Sequence, residues 1–299
     1  MKKTFFIISI IFLFICLLVT YTNTLSFKLR RYTWQKDYRI GIAVLKNDKI
    51  WTIGTQKQPL LSVFKYFIAV EVLNKLNKQK IDLNTKLTIK ETMINKNLYS
   101  PMLKKYKSFP IDITIAELLE YTISESDNNA SDILLEYIGG ARKLDKVLKD
   151  TGFSGIEISV NEKEMNSDIN KQYLNQATPK DVAKYMKTVR ETDILTVEHK
   201  NFLDKIMEKT VTGEDKIKKG LPPGTVFGHK TGSSSRDENT GLKIADNDAG
   251  YVILPNGETY YIAVFISNSK LSDKENAEII ANISKTVYKH IVCRSIYCD

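Results

Sequence analysis

The chain has 299 residues, of which 42% are hydrophobic and 26% charged. This balance supports one large or two smaller domains around a substantial core and excludes a disordered chain. The formal net charge is +9, but the lysines are scattered, without a long basic block or an aromatic-interleaved repeat, so nucleic acid is not an expected partner. A basic surface still suits the attraction of an anionic substrate.

The N-terminus has the pattern of a secretory signal. Met1-Lys2-Lys3 precede an apolar run from Phe5 to Val19 that is short for a membrane span. Residues 1–25 are therefore predicted to be a cleaved signal peptide, which we favour, or an uncleaved N-terminal anchor through which the protein would contact a membrane. Both alternatives predict an exported protein, either periplasmic or secreted. We expect it to be a monomer.

The first elements predicted after this leader form a β-hairpin. Strand patterns over Arg39–Leu45 and Ile50–Ile53 flank a tight turn at Asn47-Asp48. From Ser62 to about Ile123 the pattern is helical, and its apolar opening stretch predicts a buried helix. Residues 157–177 are polar and weakly periodic, and a loop of that length is more often functional than accidental. Helical spacing also occurs over residues 133–137, 144–148, 179–189 and 202–207.

Strand signals return near the end of the chain. Residues 225–230 form one predicted strand. Residues 250–254 and 259–266 form a predicted hairpin across Pro255-Asn256-Gly257-Glu258. A capping-box pattern, Ser272-Asp273-Lys274-Glu275, then begins a final helix whose apolar side can pack on the sheet.

These positions predict the fold class and the domains. Because strands come from both ends of the chain and helices from its middle, we expect an α/β (α+β) fold with an antiparallel sheet flanked by helices. Residues 27–60 plus 205–299 are predicted to form the α/β domain. An all-helical domain over residues 61–204, which includes the loop 157–177, is predicted to be inserted between its two parts.

Cysteine and histidine usage gives no sign of metal or thiol chemistry. After the leader, Cys293 and Cys298 are close enough to pair in an oxidising compartment or to remain free thiols in a frayed tail. The histidines are widely separated and lack metal-ligand spacing. The sequence therefore predicts neither a metal nor a cofactor.

Three short motifs carry the predicted chemistry. Ser62 and Lys65 are three residues apart on a predicted helix, which places their β-carbons roughly 5–6 Å apart on one face. A serine hydroxyl becomes a nucleophile when an adjacent base removes its proton, and a lysine of depressed pKa can be that base. This S-x-x-K spacing alone is unspecific, since Ser267–Lys270 repeats it. Ser126-Asp127-Asn128 and Lys230-Thr231-Gly232 follow once each and in order, and the three motifs together are specific.

This ordered set is that of class A β-lactamases and penicillin-binding proteins. The sequence resembles the class A serine β-lactamases over nearly all of residues 27–292. Tyr99-Ser100-Pro101 matches the family's tyrosine at the mouth of the cleft, and Thr212-Gly213 with Leu221-Pro222 matches the segment before the K-T-G strand. The resemblance implies the β-lactamase/penicillin-binding-protein-like fold and hydrolysis of penicillins or cephalosporins.

One carboxylate separates the hydrolases of this group from the penicillin-binding proteins. Glu162-Lys163-Glu164-Met165-Asn166 matches the family's E-x-x-x-N pattern, in which the glutamate activates water and the asparagine helps to hold it. The spacing to Asn166 selects Glu162 over Glu164. The resemblance therefore implies deacylation by a water that Glu162 activates.

The resemblance also implies a role for each site residue. Ser62 would attack the lactam carbonyl, with Lys65 or a water held by Glu162 as base, and Ser126 would relay a proton to the lactam nitrogen. The backbone N–H groups of Ser62 and Ser233 would form the oxyanion hole. The implied substrate-binding residues are Tyr99, Asn128, Asn166, Lys216, Lys230, Thr231 and Ser233.

The chain also departs from the family pattern. Val160 replaces an arginine that many relatives carry in the loop, so the usual anchoring ion pair is not expected. Lys163 replaces a proline, so no cis peptide is implied. Lys216 stands where some members have an arginine that assists with the carboxylate. Two alternatives stay open, a penicillin-binding D,D-peptidase and a non-catalytic penicillin-sensing or cell-wall-binding domain.

Overall fold

A computed structural model of the chain describes residues 24–35 and 37–296. The predicted leader, residues 1–25, lies outside these ranges except for its last two residues, and Cys298 lies outside them as well. Cys293 is exposed, and its pairing with Cys298 stays a prediction. Within the two ranges, every helix is too short or too polar to cross a membrane.

The described chain alternates between strands and helices. The strands are β1 (Arg39–Lys46), β2 (Lys49–Ile53), β3 (Gln58–Pro59), β4 (Lys86–Ile89), β5 (Ile111–Thr114), β6 (Ile156–Glu157), β7 (Gln176–Ala177), β8 (Val226–Ser233), β9 (Lys243–Ile253) and β10 (Thr259–Ser269). The α-helices are α1 (Leu25–Arg30), α2 (Lys65–Gln79), α3 (Met102–Lys105), α4 (Ile115–Ser124), α5 (Asn128–Tyr137), α6 (Ala141–Asp150), α7 (Glu162–Met165), α8 (Pro179–Glu191), α9 (Val197–Glu208) and α10 (Asp273–Ile296).

The main sheet is antiparallel and has the strand order β2-β1-β10-β9-β8. It joins the strands from both ends of the chain, so the predicted fold class is confirmed. Two turns set its register. Asn47 takes a left-handed φ of 51° between β1 and β2, a conformation that asparagine tolerates. Between β9 and β10, the Leu254 N–H donates to the Glu258 carbonyl at 2.8 Å.

Helices cover both faces of the sheet because its side chains alternate in direction. On β10, Ile262 and Val264 face one core together with Ile283 of α10, while Ala263 and Phe265 face the other. The predicted capping box of α10 is present, since the Ser272 N–H donates to Glu275 and the Glu275 N–H donates to Ser272. The second core continues into α2, α4, α5 and α8, so the middle of the chain shares one core with the sheet.

The middle segment is not entirely helical, and the prediction of an all-helical domain over 61–204 is wrong in that respect. β4 and β5 pair as an antiparallel ribbon, and short strands form a second small sheet of order β3-β7-β6. The ribbon sequences, Lys-Leu-Thr-Ile and Ile-Asp-Ile-Thr, alternate with the period of two that favours strands. Four-residue alternations are easily lost within a longer helical pattern. The boundaries of the two domains stay predictions.

The predicted loop 157–177 is closed at its base by β6 and β7 and contains the short helix α7. Its backbone is held by Asn175, which is fully buried. The Asn175 side chain accepts from the N–H groups of Ser159 and Val160 at 2.8 and 3.0 Å and donates to the Val160 carbonyl at 2.8 Å. The Asn175 side-chain amide thus satisfies three backbone hydrogen-bonding groups around Val160, the position where the usual anchoring ion pair is not expected.

Asp132 of α5 holds the next stretch of the same loop. Its carboxylate accepts from the backbone N–H of Glu162 at 2.7 Å and of Lys163 at 2.9 Å. Burial raises the pKa of Asp132 to about 7, against the opposing effect of these two N–H groups. Among the described residues the cis peptide is Phe109–Pro110, so the Glu162–Lys163 bond is trans.

Asp132→Asn should therefore change how stability depends on pH. The folded protein keeps a proton that the unfolded chain releases above its ordinary pKa of 3.8, so the contribution of Asp132 to the free energy of unfolding falls as the pH rises from about 4 to about 7. The free energy of unfolding of the wild type, minus that of the variant, should fall by up to about 4 kcal/mol across this window. Urea denaturation followed by circular dichroism at each pH measures it.

Ser131→Ala, at the neighbouring buried position of α5, is the matched control and should follow the wild-type pH profile. A difference that stays constant, or grows as the pH rises, would contradict the raised pKa. It would mean that the two N–H groups stabilise the carboxylate at least as much as burial destabilises it.

Candidate active site

Ser62 lies on a 3-10 turn, Leu61–Phe64, that leads directly into α2. This turn packs very closely against β8. A β-carbon placed on Gly232 would lie 2.4 Å from the Leu60 carbonyl oxygen and 3.2 Å from the Ser62 nitrogen, so only glycine fits there. Asn247 of β9, which pairs with Gly232, also holds this segment by donating to the carbonyls of Pro59 and Leu60 at 2.7 and 3.1 Å.

Lys65, the first residue of α2, is fully buried beneath the cleft. Its Nζ lies 2.9 Å from Glu162 Oε1. It also donates to the Ser126 carbonyl at 2.7 Å and to Asn128 Oδ1 at 2.6 Å, and it lies 3.4 Å from Ser126 Oγ. The ammonium group therefore joins α2, the Ser126-Asp127-Asn128 segment and the loop.

Glu162, at the start of α7, faces Ser62. Ser62 Oγ donates to Glu162 Oε1 at 3.3 Å, and this is the same oxygen that pairs with Lys65. Asn166 Nδ2 donates to the Glu162 carbonyl at 2.8 Å and lies 3.4 Å from Oε2. Glu164 instead turns back to cap α7, where it accepts from the Asn161 N–H. The two glutamates thus have separate surroundings, and Glu162 is the one that reaches Ser62.

The Ser126-Asp127-Asn128 segment lies on the opposite wall. Ser126 has a left-handed φ of 58°. Asp127 is buried and caps α5 by accepting from Ala130 N at 2.8 Å, while it also accepts from Ser100 Oγ and Met102 N at 2.7 Å each. The middle residue of the motif is therefore structural and holds the stretch that follows Tyr99.

Tyr99 itself is 58% exposed at the mouth of the cleft. Its carbonyl accepts from the Asn128 N–H at 3.0 Å. This hydrogen bond holds the backbone of Tyr99 against the start of α5. Tyr99 and Asn128 therefore lie on the same side of the cleft.

Lys230 is fully buried on β8, next to Ser126. Its Nζ donates to Ser126 Oγ at 2.9 Å and to the Thr231 carbonyl at 3.0 Å. Burial lowers the pKa of Lys230 well below its ordinary value, and the nearby charges of Lys65 and Lys216 lower it further. Lys230 is thus suited to exchanging a proton with the Ser126 hydroxyl.

The remaining β8 residues line the cleft. Thr231 Oγ1 lies 2.6 Å from Thr212 Oγ1. Lys216 Nζ donates to Ser233 Oγ at 2.9 Å and pairs with Asp246 Oδ1 at 2.5 Å. Asp246 was not identified from the sequence. The signal that could have found it is the strand register, because Ser233 of β8 pairs with Asp246 of β9.

His229 lies behind the site and is not part of it. It is buried, and its Nδ1 lies 2.8 Å from Asp248 Oδ1. Asp248 Oδ2 accepts from the Ile217 N–H at 3.1 Å, so this pair supports the segment that carries Lys216. The second S-x-x-K match also lies elsewhere, since Ser267 is buried on β10 and donates to Gln58.

The predicted site residues surround one cleft of about 590 Å³. Lys65 and Lys230 lie beneath its floor. Within residues 24–35 and 37–296, no cluster of three or more His, Cys, Asp or Glu side chains is placed to hold a metal ion. The predicted residues that line the cleft wall are Ser62, Tyr99, Ser126, Asn128, Glu162, Asn166, Lys216, Thr231 and Ser233.

Known proteins are similar to this chain in sequence and in fold. Residues 26–291 match the model of the β-lactamase enzyme family. A β-lactamase of Bacteroides uniformis is 43% identical over 256 residues, which cover 85% of this chain and 86% of that protein. The extended-spectrum β-lactamase PER-1 of Pseudomonas aeruginosa is 33% identical over 85% of this chain and 83% of its own length.

Solved structures agree with the sequence matches. The crystal structure of a class A β-lactamase from Bacteroides cellulosilyticus superposes with a TM-score of 0.86 at 40% identity, and covers 89% of this chain and 96% of that one. The extended-spectrum β-lactamase TLA-1 superposes with a TM-score of 0.88 at 35% identity, over 91% of this chain and 99% of that one. The chain therefore belongs to the β-lactamase enzyme family and is a class A serine β-lactamase.

Proposed function

We propose that the enzyme opens the β-lactam ring of penicillins and cephalosporins in two steps, by acylating Ser62 and then releasing the acyl group to a water activated by Glu162. One observation carries this proposal. Glu162 Oε1 lies 3.3 Å from Ser62 Oγ and 2.9 Å from Lys65 Nζ. A single carboxylate oxygen is thus within reach of the nucleophile and of its neighbouring amine.

In the acylation step, Ser62 Oγ attacks the lactam carbonyl carbon and loses its proton. Lys65 Nζ is surrounded by oxygen acceptors on Glu162, Ser126 and Asn128, which suits it to donate hydrogen bonds. This arrangement supports Glu162, directly or through a water, as the group that takes the proton. Lys65 then stabilises the negative charge around it.

Ring opening requires a proton for the lactam nitrogen when its bond to the carbonyl carbon breaks. Ser126 Oγ is suited to supply it, because it accepts from Lys230 Nζ at 2.9 Å and lies 3.4 Å from Lys65 Nζ. The lowered pKa of Lys230 makes it a better proton donor than an ordinary lysine. Lys230 can then reprotonate the hydroxyl. The proton that Glu162 took from Ser62 passes through Lys65 and Ser126 to Lys230, so the Glu162 carboxylate is restored before deacylation.

Deacylation depends on Glu162 and Asn166. A water between the Glu162 carboxylate and the acyl carbonyl would lose a proton to Glu162 and attack the carbonyl, and Ser62 Oγ would leave with a proton returned to it. Asn166 Nδ2 lies 3.4 Å from Glu162 Oε2, close enough to help hold that water. A D,D-peptidase or a penicillin sensor would share Ser62 and Lys65 but would not need this buried carboxylate.

Substrate binding is proposed for the remaining cleft residues. Asn128 Oδ1 accepts from Lys65, which leaves its NH₂ group for the carbonyl of a substrate side chain. Thr231, Ser233, Lys216 and Lys230 are proposed for the substrate carboxylate, which a lysine ammonium attracts. Export to the periplasm or the medium, and a monomeric state, belong to the same proposal.

Purified residues 26–299 should hydrolyse a chromogenic cephalosporin with many turnovers per molecule of enzyme. Glu162 can release each acyl group, so product should accumulate far beyond the enzyme concentration. Continuous absorbance measurement with a known enzyme concentration decides the question. A burst of one equivalent followed by no further product would contradict hydrolysis and favour the peptidase or the sensor.

Glu162→Gln should trap the acyl-enzyme on Ser62, because the amide keeps the shape of the side chain but cannot accept a proton from water. Acylation should slow as well, but less than deacylation, because Lys65 can still act as its base. We expect kcat to fall by about a hundredfold to ten-thousandfold. Intact-protein mass spectrometry after mixing with substrate should show a persistent adduct of the substrate's mass.

Glu164→Gln is the matched control, since Glu164 lies two residues away and caps α7 without reaching Ser62. It should turn over normally and show no persistent adduct. Accumulation in Glu164→Gln, with none in Glu162→Gln, would show that the wrong carboxylate has been assigned.

A further inference from the structure

The cleft contains a carboxylate that none of the proposed catalytic steps uses. Asp246, on β9, is only 2% exposed, yet it borders the cleft next to Ser233. Asp246 Oδ1 lies 2.5 Å from Lys216 Nζ and accepts from Ser233 Oγ at 2.7 Å. Lys243 Nζ lies 3.8 Å from Oδ2. A negative charge therefore lies at the end of the cleft where a substrate carboxylate is expected.

Asp246 already uses the hydrogen bonds that such a substrate would need. A serine hydroxyl has one proton, and that of Ser233 points to Asp246. A lysine ammonium has three, and Lys216 Nζ contacts Asp246, Ser233 Oγ and the Asn247 carbonyl at 2.5, 2.9 and 3.4 Å. A bound carboxylate at this end must therefore share or displace these bonds, and it also meets a like charge.

We propose that Asp246 is a specificity-determining residue that competes with the substrate's anionic group for Lys216 and Ser233 and so weakens the binding of anionic substrates. This inference rests on the proposed function, because it takes the substrate carboxylate to bind at this end of the cleft. Thr231 and the buried Lys230 are then the main residues that can bind the substrate carboxylate without competition from Asp246.

The charges around Asp246 keep its carboxylate in place. Lys243 is 4% exposed and pairs with Asp273 at 2.9 Å, and Arg236 pairs with Asp273 at 2.7 Å. Asp246 thus belongs to a linked set of ion pairs that runs from Lys216 to the surface. These ion pairs hold the Asp246 carboxylate in one position. A substrate carboxylate must therefore compete with Asp246 for the hydrogen bonds of Lys216 and Ser233, because the Asp246 side chain is not free to move away.

A purely structural role makes a different prediction. If Asp246 only neutralised Lys216, removing its charge would lower activity on all substrates alike. If it competes with the substrate, removing its charge should improve the binding of anionic substrates and leave neutral ones unchanged. A chromogenic cephalosporin and its C4 methyl ester are a matched pair, because they differ at the carboxylate alone.

Asp246→Asn should lower KM for the free-acid cephalosporin by about tenfold, with kcat changed less than about threefold. Its KM for the methyl ester should stay within about twofold of the wild type. Asp246→Thr is measured beside it, because threonine favours strands and its uncharged hydroxyl can still accept from Ser233. Both variants should change KM in the same direction.

Asp215→Asn is the control for lost charge in general. Asp215 also lines the cleft but is exposed. Asp215→Asn should therefore change the KM for the free acid and the KM for the methyl ester by no more than about twofold each. Equal losses on acid and ester in the Asp246 variants would overturn the proposal, as would an unchanged KM for the acid. Absence of any turnover in the wild type would instead count against the proposed function.

The wild type alone tests the proposal if neither Asp246 variant folds. Its kcat/KM should favour the free acid over the methyl ester by less than about tenfold, because Asp246 offsets part of the attraction of the lysines. A preference greater than about a hundredfold would show that the anion site is fully available, and this would overturn the proposal.

Discussion

The buried ammonium group of Lys65 is the constraint on which the rest of the site depends. A charge removed from water at this depth is very costly unless it is paired and hydrogen-bonded. Glu162 supplies the opposite charge at 2.9 Å, and Ser126 and Asn128 supply oxygen atoms at 2.7 and 2.6 Å. The fold must therefore bring the loop and the Ser126-Asp127-Asn128 segment to the first turn of α2. Ser62 lies three residues before Lys65, and it is placed beside Glu162 by the same requirement.

Several residues outside the chemistry make this convergence possible. Gly232 lets β8 approach the Ser62 turn, and Asn247 binds that turn from β9. Asp127 ties the opposite wall to the segment after Tyr99. Asp132 and Asn175 hold the loop through its backbone. Asn247, Asp127 and Asn175 do so through hydrogen bonds of fully buried polar side chains. These bonds are costly to break because the partner is left unsatisfied.

Much of the fold and of the site could be predicted because local patterns carried the information. Strand patterns and turn residues predicted the β1–β2 and β9–β10 hairpins of the sheet, and the capping box predicted the start of α10. The ordered motifs predicted Ser62, Lys65, Ser126 and Lys230, and all four lie around one cleft. The E-x-x-x-N spacing separated Glu162 from Glu164, and the two carboxylates do have different surroundings.

Features that depend on pairing between distant segments could not be predicted in this way. Asp246 enters the cleft because β9 pairs in register with β8, and no local pattern near Asp246 shows this. Within the loop, Asn175 binds Val160 from 15 residues away, and Asp132 of α5 binds Glu162 from 30 residues away. The β4–β5 ribbon was missed since four-residue strands give too short an alternation to stand out from helical spacing.

We propose that Lys65 positions the groups for acylation and for deacylation together. Lys65→Met keeps most of the length of the side chain and removes its charge. Stopped-flow mixing combined with intact-protein mass spectrometry gives the two rate constants separately. Both should fall by more than about a hundredfold, because Glu162 and the Ser126 segment lose their common partner. Deacylation at the wild-type rate would show that Glu162 is positioned without Lys65 and would contradict this account.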